Sequence, residues 1–365
     1  MHDDKLPDFT PEDLQQEPIE RAETIPSSWY YSDAMLELEK EKLFSSFWQL
    51  ACHANELSEP GDMYPLEVAG NPLLLVCDRD QKVNAFFNVC KHRGGPVAVK
   101  KGTTSVLKCQ YHGWTYLLDG SLRGVPQFNK VDLFDKKDFG LEPVALQQWE
   151  GLFFVSLKDN IPPVHQFLGR IAEQIVPIDL SNFCFVETQS YFINCNWKVY
   201  VDNFLEGYHI PIVHPELAKL LDYRAYKTDT FNWFSLQHSP LREENNPYGS
   251  TGGKAYYYFI FPNIMLNILP NRLQTNVIRP ISADKTQVLF NYYYLDPDSE
   301  KMQKIISQDI TYSDEIQQED IEICELVQKG LQSKAYNKGR FSVEREKGVY
   351  HFQSLLKKVL SKAMS

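Results

Sequence analysis

The sequence has few features of a membrane, secreted or nucleic-acid-binding protein. It contains no apolar run near the roughly 18–20 residues that a membrane-spanning helix needs, and its first residues lack the basic-then-apolar pattern of a signal peptide. Lys and Arg number 37 against 48 Asp and Glu, so the formal net charge is -11 and no basic stripe stands out. Seven cysteines, an odd number, do not indicate a disulfide framework. These absences favour a cytoplasmic location.

Two of the cysteines belong to short Cys/His pairs, which read Cys-Lys-His at 90–92 and Cys-Gln-Tyr-His at 109–112. Their flanks are distinctive, with Arg-Gly-Gly-Pro after the first pair and Gly-Trp-Thr-Tyr after the second. Two thiolates and two imidazoles suit a Rieske [2Fe–2S] cluster, in which the sulfurs bind one iron and the histidines the other. A structural Cys2His2 zinc site is the alternative, because zinc uses the same ligand count, but it does not require these flanks. The predicted cluster ligands are Cys90, His92, Cys109 and His112.

The length of 365 residues suggests two or three domains. Residues 1–48 read as a polar arm followed by a helix over 32–47. Short runs separated by turns then predict a small all-β domain over 49–160, which contains both Cys/His pairs. Within it, Asp119-Gly120 is predicted to form a hairpin turn.

From 161 to 365 the predicted strands come first and the long helices last. A strand over 185–193 and a helix over 197–212 precede four strands between 255 and 295, and helices follow over 299–333 and about 350–363. This order predicts an α+β domain with a helix-grip-like arrangement, in which a long C-terminal helix packs across an antiparallel sheet. We expect residues 1–48 to belong to this domain.

A second metal site is predicted around His209 and His214. Histidines five apart lie about 140° apart on a straight helix, at about 100° per residue, so they do not easily share an ion. Pro211 lies between them and disrupts the helix there, which can swing His214 back toward His209. We therefore predict that both histidines bind one metal ion.

The third ligand is predicted on the helix over 316–331. Asp320 falls on its apolar stripe, whose other members are Ile316, Ile323, Val327 and Leu331. A lone carboxylate on a buried face must be paired or bound to a metal. Two histidines and a carboxylate form the facial triad of non-haem Fe(II) oxygenases, which leaves positions open for O2. Asp314 is the alternative ligand, and Glu319, Glu322 and Glu325 point more to the other faces.

With both sites in one chain, the sequence resembles the Rieske non-haem iron oxygenases, specifically their catalytic α subunits. The resemblance covers nearly the whole chain, because Asn-Trp-Lys at 196–198, Phe-Pro-Asn at 261–263 and Gln-Glu-Asp at 318–320 also occur in family order. It implies a [2Fe–2S] cluster, mononuclear Fe(II), and electrons from NAD(P)H through a separate flavin and iron–sulfur reductase. The chain has no Gly-rich nucleotide fingerprint in a βαβ context, which agrees. It also implies a head-to-tail ring, usually a homotrimer.

The resemblance further implies a carboxylate that bridges a Rieske histidine of one subunit to an iron-ligand histidine of its neighbour. Most of the family has aspartate three residues before the first iron histidine, where this chain has Glu206. Glutamate there, and the run Gly-Tyr-His at 207–209, resemble the branch that oxidises quaternary ammonium compounds such as carnitine, choline and glycine betaine. Asp202, one turn earlier on the same face, is a second candidate relay or orienting group. The predicted catalytic residues are thus Glu206, Asp202 and Tyr208.

These features predict the oxygenase component of a multicomponent system, a monooxygenase that hydroxylates a quaternary ammonium compound or cleaves its C–N bond. Such a cation needs an aromatic cage, and seven residues are available, although most also suit a core: Phe204, Tyr208, Trp233, Tyr256, Tyr257, Tyr258 and Phe259. An oxygenase for aromatic or alicyclic substrates, including a dioxygenase, is the enzymatic alternative. A Rieske electron carrier is the other, but it leaves ~200 residues unexplained.

Overall fold

The computed structural model describes residues 10–220, 225–241 and 254–364. They form two compact units. One unit comprises Phe44–His165, and the other comprises Gln166 onward together with the N-terminal residues up to Leu43. None of the helices described in these ranges is long and apolar enough to cross a membrane.

The unit Phe44–His165 is built from short strands in three antiparallel sheets. Their orders are β1-β10-β9, β4-β3-β2-β5 and β6-β7-β8, with bounds β1 Gln49–His53, β2 Asp62–Val68, β3 Asn71–Cys77, β4 Val83–Phe87, β5 Gly102–Thr103, β6 Leu107–Lys108, β7 Thr115–Tyr116, β8 Leu122–Gly124, β9 Ala145–Trp149 and β10 Leu152–Ser156. Leu73–Val76 of the central strand β3 are fully buried. The predicted all-β character is confirmed.

The predicted hairpin turn at Asp119-Gly120 joins β7 to β8. Gly120 has φ +83°, a left-handed conformation that glycine adopts without strain. The Leu117 N–H donates to the Ser121 carbonyl at 2.9 Å and closes the turn. A Cβ at position 120 would lie 2.5 Å from the ring of Phe86, so the close packing there also requires glycine.

The other unit contains a seven-stranded antiparallel sheet in the order β11-β17-β16-β15-β14-β13-β12. The strands are β11 Cys184–Ile193, β12 Lys227–Thr230, β13 Phe234–Pro240, β14 Lys254–Ile260, β15 Ile264–Leu269, β16 Arg272–Ser282 and β17 Lys285–Tyr294. The α-helices among the described residues are α1 Asp33–Glu39, α2 Val164–Leu168, α3 Ile171–Gln174, α4 Trp197–Phe204, α5 Ile210–Val213, α6 Pro215–Leu220, α7 Glu300–Leu331 and α8 Lys347–Met364.

The long helix α7 packs on this sheet through polar contacts. Ser299 caps its first turn by accepting a hydrogen bond from the Met302 N–H. Farther along, Asp309 forms a 2.7 Å ion pair with Arg272 of β16, and both side chains are buried. The predicted α+β domain, with a long helix across an antiparallel sheet, is confirmed.

The helix predicted over 197–212 is wrong in one respect. It is not continuous up to Pro211, because α4 already ends at Phe204 and a non-helical turn precedes α5. Pro211 lies in the first turn of α5, where its missing N–H would have no helical partner anyway. His214 follows α5 with φ -120° and ψ 67°, so the chain turns again at the second histidine.

Candidate metal centres

The two Cys/His loops have the same backbone geometry. In the first, the Cys90 N–H donates to the Gly95 carbonyl at 2.8 Å, and in the second the Cys109 N–H donates to the Trp114 carbonyl at 2.8 Å. The residue four positions after each cysteine is a left-handed glycine, with φ +74° in the first loop and +73° in the second. Cys90 and Cys109 therefore occupy equivalent positions in two loops of the same conformation.

The four predicted cluster ligands come together at these loops. Both cysteines are buried, His92 is half-buried and His112 is exposed. The two imidazole rings lie 4.7 Å apart between centroids, and His92 stacks on Trp114 at 4.8 Å. Burial raises the pKa of the Cys90 thiol. The Tyr116 hydroxyl lies 3.2 Å from this sulfur and opposes that effect, since it can donate to the thiolate.

These residues fit a [2Fe–2S] cluster. His92 Nδ1 is buried and has no hydrogen-bond partner among the described residues, which is costly for a ring nitrogen unless it binds a metal. Gly95 also lies close to one of the sulfur atoms, because a Cβ at this position would be 3.0 Å from Cys109 Sγ. A residue without a Cβ therefore leaves room around the sulfur for a cluster.

The second site contains the three predicted iron ligands. One ligand atom from each of His209, His214 and Asp320 lies within 4.8 Å of the other two. His214 Nε2 is 3.0 Å from Asp320 Oδ1, and His209 Nε2 is 3.8 Å from the same oxygen. His214 is buried and the other two side chains are each 17% exposed. Two imidazole nitrogens and a carboxylate oxygen facing one point fit Fe(II) in a facial triad.

The other predicted residues, Asp314, Asp202 and Tyr208, are not part of this group of three ligands. Asp314, the alternative ligand, accepts a hydrogen bond from the Tyr191 hydroxyl at 2.9 Å and is outside the group. Asp202 accepts from the Tyr30 hydroxyl at 2.6 Å and from Gln353. Burial raises the pKa of Asp202 to about 7, although both hydrogen bonds oppose this shift. Tyr208 is 54% exposed.

Glu206 contacts the first ligand histidine directly. Its Oε1 lies 2.7 Å from His209 Nδ1, and its Oε2 accepts the backbone N–H groups of Tyr208 and His209. One carboxylate thus closes the turn between α4 and α5 and holds the imidazole ring. The start of α8 packs against this turn, since a Cβ at Gly348 would lie 2.3 Å from the Leu205 carbonyl oxygen.

Two residues beside the triad were given no role from the sequence. Glu319 was predicted to lie off the apolar stripe, and its side chain is 44% exposed, but its Oε2 also lies 2.6 Å from His214 Nδ1. Asn203 donates to Asp320 Oδ1 at 2.6 Å. The sequence signals available were the adjacency of Glu319 to Asp320 and the place of Asn203 in the last turn before the helix break.

The Asn-Trp-Lys motif explains how α4 is held in place. The Asn196 side chain caps α4 by accepting the Lys198 N–H at 3.0 Å. Lys198 forms a fully buried ion pair with Glu39 of α1 at 2.6 Å. The second Glu39 oxygen accepts the Trp197 indole N–H at 2.7 Å. The motif therefore joins the N-terminal segment to the helix that precedes the iron ligands.

A cavity of about 140 Å³ opens at the triad, which forms part of its lining. Six aromatic side chains of the described residues line it: Tyr200, Phe204, Tyr226, Tyr257, Phe290 and Tyr312. Of the seven residues predicted for a cage, only Phe204 and Tyr257 are among them. Tyr256 and Tyr258 stack on each other, 6.4 Å apart between ring centroids.

Comparison with known proteins identifies the family. A family model described as "Ring hydroxylating alpha subunit (catalytic domain)" matches residues 180–362, and one described as "Rieske [2Fe-2S] domain" matches residues 47–135. Choline monooxygenase from Arabidopsis thaliana, a chloroplastic protein, is 33% identical over 93% of this chain and 83% of its own length. The chain belongs to the Rieske oxygenase α subunits.

Other relatives agree with this family. The carnitine monooxygenase oxygenase subunit of Escherichia coli K12 is 31% identical over 97% of this chain and 98% of its own length. A solved quaternary ammonium Rieske monooxygenase superposes with a TM-score of 0.87 at 27% identity, covering 94% of this chain and 99% of that one. Rieske oxygenase α subunits use a [2Fe–2S] cluster and mononuclear iron, act on a small molecule and receive electrons from a reductase. A Rieske electron carrier and a structural Cys2His2 zinc site, the two alternatives to an oxygenase, do not fit this family.

Proposed function

We propose that this Rieske oxygenase acts on a quaternary ammonium compound, bound in the cavity beside the triad. Two of its relatives are named choline monooxygenase and carnitine monooxygenase oxygenase subunit. The observation that carries the proposal is the aromatic lining of the cavity, which includes rings from α4 and from the sheet. The charged groups do not oppose a cation, because the Glu206 and Asp320 carboxylates offset the charge of a bound Fe(II) and Arg272 is paired with Asp309.

The aromatic side chains support the same substrate class. A quaternary ammonium group has no N–H to donate, so its recognition depends on the negative faces of aromatic rings. Tyr200 and Phe204 come from α4, close to the iron ligands, whereas Tyr257 and Phe290 come from strands of the sheet. A small cation in this cavity can therefore contact rings from α4 and from the sheet.

We assign roles to the site residues on this basis. His209, His214 and Asp320 hold the mononuclear iron, and Cys90, His92, Cys109 and His112 hold the cluster. An iron ion bound by these residues would supply the activation of O2. Glu206 orients His209 by accepting its Nδ1–H, which leaves Nε2 for the metal. The cavity positions a C–H bond of the substrate and excludes bulk water.

The reaction that we propose is a monooxygenation. One oxygen atom of O2 enters a C–H bond of the substrate, and the other leaves as water with two electrons and two protons. The reductase supplies the electrons. When the C–H bond lies on a carbon attached to nitrogen, the hydroxylated product collapses to an aldehyde and a smaller amine, with the loss of a proton from the hydroxyl group.

The assembly and domain roles belong to the same proposal. Residues 49–160 carry the cluster, and residues 161–365 with 1–48 carry the iron. We propose a homotrimer in which Glu206 bridges the cluster of a neighbouring subunit to His209, so that electrons cross to the iron site through this bridge. Asp202 and Tyr208 remain candidates for an orienting role, and the cytoplasmic location remains a prediction.

A matched ligand pair tests the substrate class. Choline and 3,3-dimethylbutan-1-ol have nearly the same shape, but only choline is charged. We expect choline to perturb the EPR signal of the anaerobic iron–nitrosyl protein at about 2–30-fold lower concentration, because a cation–π contact contributes about 0.5–2 kcal/mol. Carnitine and glycine betaine complete the cationic set, and naphthalene represents the ring-hydroxylating alternative. Equal responses to choline and its neutral analogue would contradict a cation site.

A further inference from the structure

The two ligand histidines face the triad in the same way. Each Nε2 points to Asp320 Oδ1, at 3.0 Å for His214 and 3.8 Å for His209. Each Nδ1 points away and meets a carboxylate of its own. For His209 this partner is Glu206 at 2.7 Å, and for His214 it is Glu319 at 2.6 Å.

The partner of His214 reaches it from a distant part of the chain. Glu319 is 105 residues away in sequence and directly precedes Asp320 on α7. Adjacent residues on a helix point about 100° apart, and the His214 ring lies between them with one nitrogen on each carboxylate. The His214 side chain is only 2% exposed, whereas that of Glu319 is 44% exposed.

We propose that Glu319 is a positioning residue for the iron site. By accepting the Nδ1–H of His214, it fixes the tautomer whose Nε2 lone pair is available to the metal. A carboxylate in this position also raises the basicity of the imidazole as a ligand. The inference rests on the proposed iron site and assigns a role to a residue outside the triad.

Each ligand then has a hydrogen-bond partner outside the triad among the described residues. Glu206 serves His209, Glu319 serves His214, and Asn203 donates to Asp320 at 2.6 Å. The carboxylate of Glu206 is also held by two backbone N–H groups of its own turn. Glu319 comes from α7, so it ties the orientation of His214 to the helix that supplies Asp320.

The test compares variants of Glu319 with the same changes at Glu322. Glu322 is exposed and lies three residues farther along α7, so it controls for loss of a negative charge near the site. We expect Glu319→Ala to weaken the binding of Fe(II) to protein depleted of its mononuclear iron, by about 10–100-fold. We also expect it to change the iron–nitrosyl EPR spectrum. Glu319→Gln keeps an acceptor oxygen, so its affinity should fall between those of wild type and Glu319→Ala. Glu322→Ala should match wild type.

Two controls separate this role from a general structural effect. The melting temperature of the metal-depleted protein and the visible absorbance of the [2Fe–2S] cluster should be the same in all variants. An Fe(II) affinity for Glu319→Ala within twofold of that for Glu322→Ala would overturn the inference. If Glu319→Ala does not fold, unchanged affinity and EPR in Glu319→Gln overturn it. Wild-type protein that binds no Fe(II) would instead overturn the proposed iron site.

Discussion

The buried ion pair between Lys198 and Glu39 gives the sharpest prediction about stability. Both side chains are fully buried and their charged atoms are 2.6 Å apart. Lys198→Met removes the ammonium group and keeps most of the side-chain volume. Glu39 is then a buried charge with one remaining donor in this cluster, the Trp197 indole N–H at 2.7 Å. Breaking a buried pair on one side costs about 3–5 kcal/mol, which is roughly a 150- to 5,000-fold shift in the folding equilibrium.

Urea unfolding followed by tryptophan fluorescence measures this cost. The double variant Glu39→Gln/Lys198→Met is the matched control, because replacing both charges leaves no unpaired ion, and it should recover a large part of the loss. The visible absorbance of the [2Fe–2S] cluster serves as an internal reference, since the cluster loops belong to the other compact unit. If Lys198→Met loses less than about 1 kcal/mol, the pair does not hold α4 in the way that we argue.

Two further predictions concern the acids near the iron ligands. Glu206→Gln should abolish turnover while both iron centres remain loaded, as measured by iron content, EPR and product formation, and full activity would refute the bridging role. Burial raises the pKa of Asp202 to about 7 from its ordinary value of 3.8, so the stability that its neutral form contributes is complete below about pH 4 and is lost as the pH rises through 7. Asp202→Asn cannot ionise. Between pH 5 and pH 8 the wild type should therefore lose more stability than this variant, by about 3 kcal/mol at most. Urea unfolding at each pH measures the difference, and parallel pH profiles would argue against the raised pKa of Asp202.

The ligand residues were predictable because their signals are local or periodic. The Cys/His pairs stand in short loops, and the glycines that allow the turns are part of the same motifs. Asp320 was found through the apolar stripe of its helix, which predicts the face that packs inward. The structure brings the four cluster residues together at one place and the three iron residues at another.

Contacts across long sequence distances gave no such signal. Glu39 and Lys198 are 159 residues apart, and no periodic pattern links them. The contact of Glu319 with His214 could not be predicted, because a helical stripe marks only the face toward the sheet, whereas His214 approaches α7 from the broken segment after α5. Strand alternation likewise did not decide which aromatic residues of β14 line the cavity, because Tyr256, Tyr257 and Tyr258 put aromatic rings on both faces of the strand.

The two metal centres therefore depend on folding to different degrees. The cluster loops lie between residues 90 and 114 and are closed by their own backbone hydrogen bonds. The iron site needs α7 to dock beside α4 and α5, since Asp320 and Glu319 come from the helix and both histidines come from the preceding segment. Because metal binding stabilises only the state in which its ligands are assembled, Fe(II) should stabilise the docked position of α7. Occupancy of the iron site is then coupled to the packing of α7, whereas the four cluster ligands come from one short stretch of the other unit.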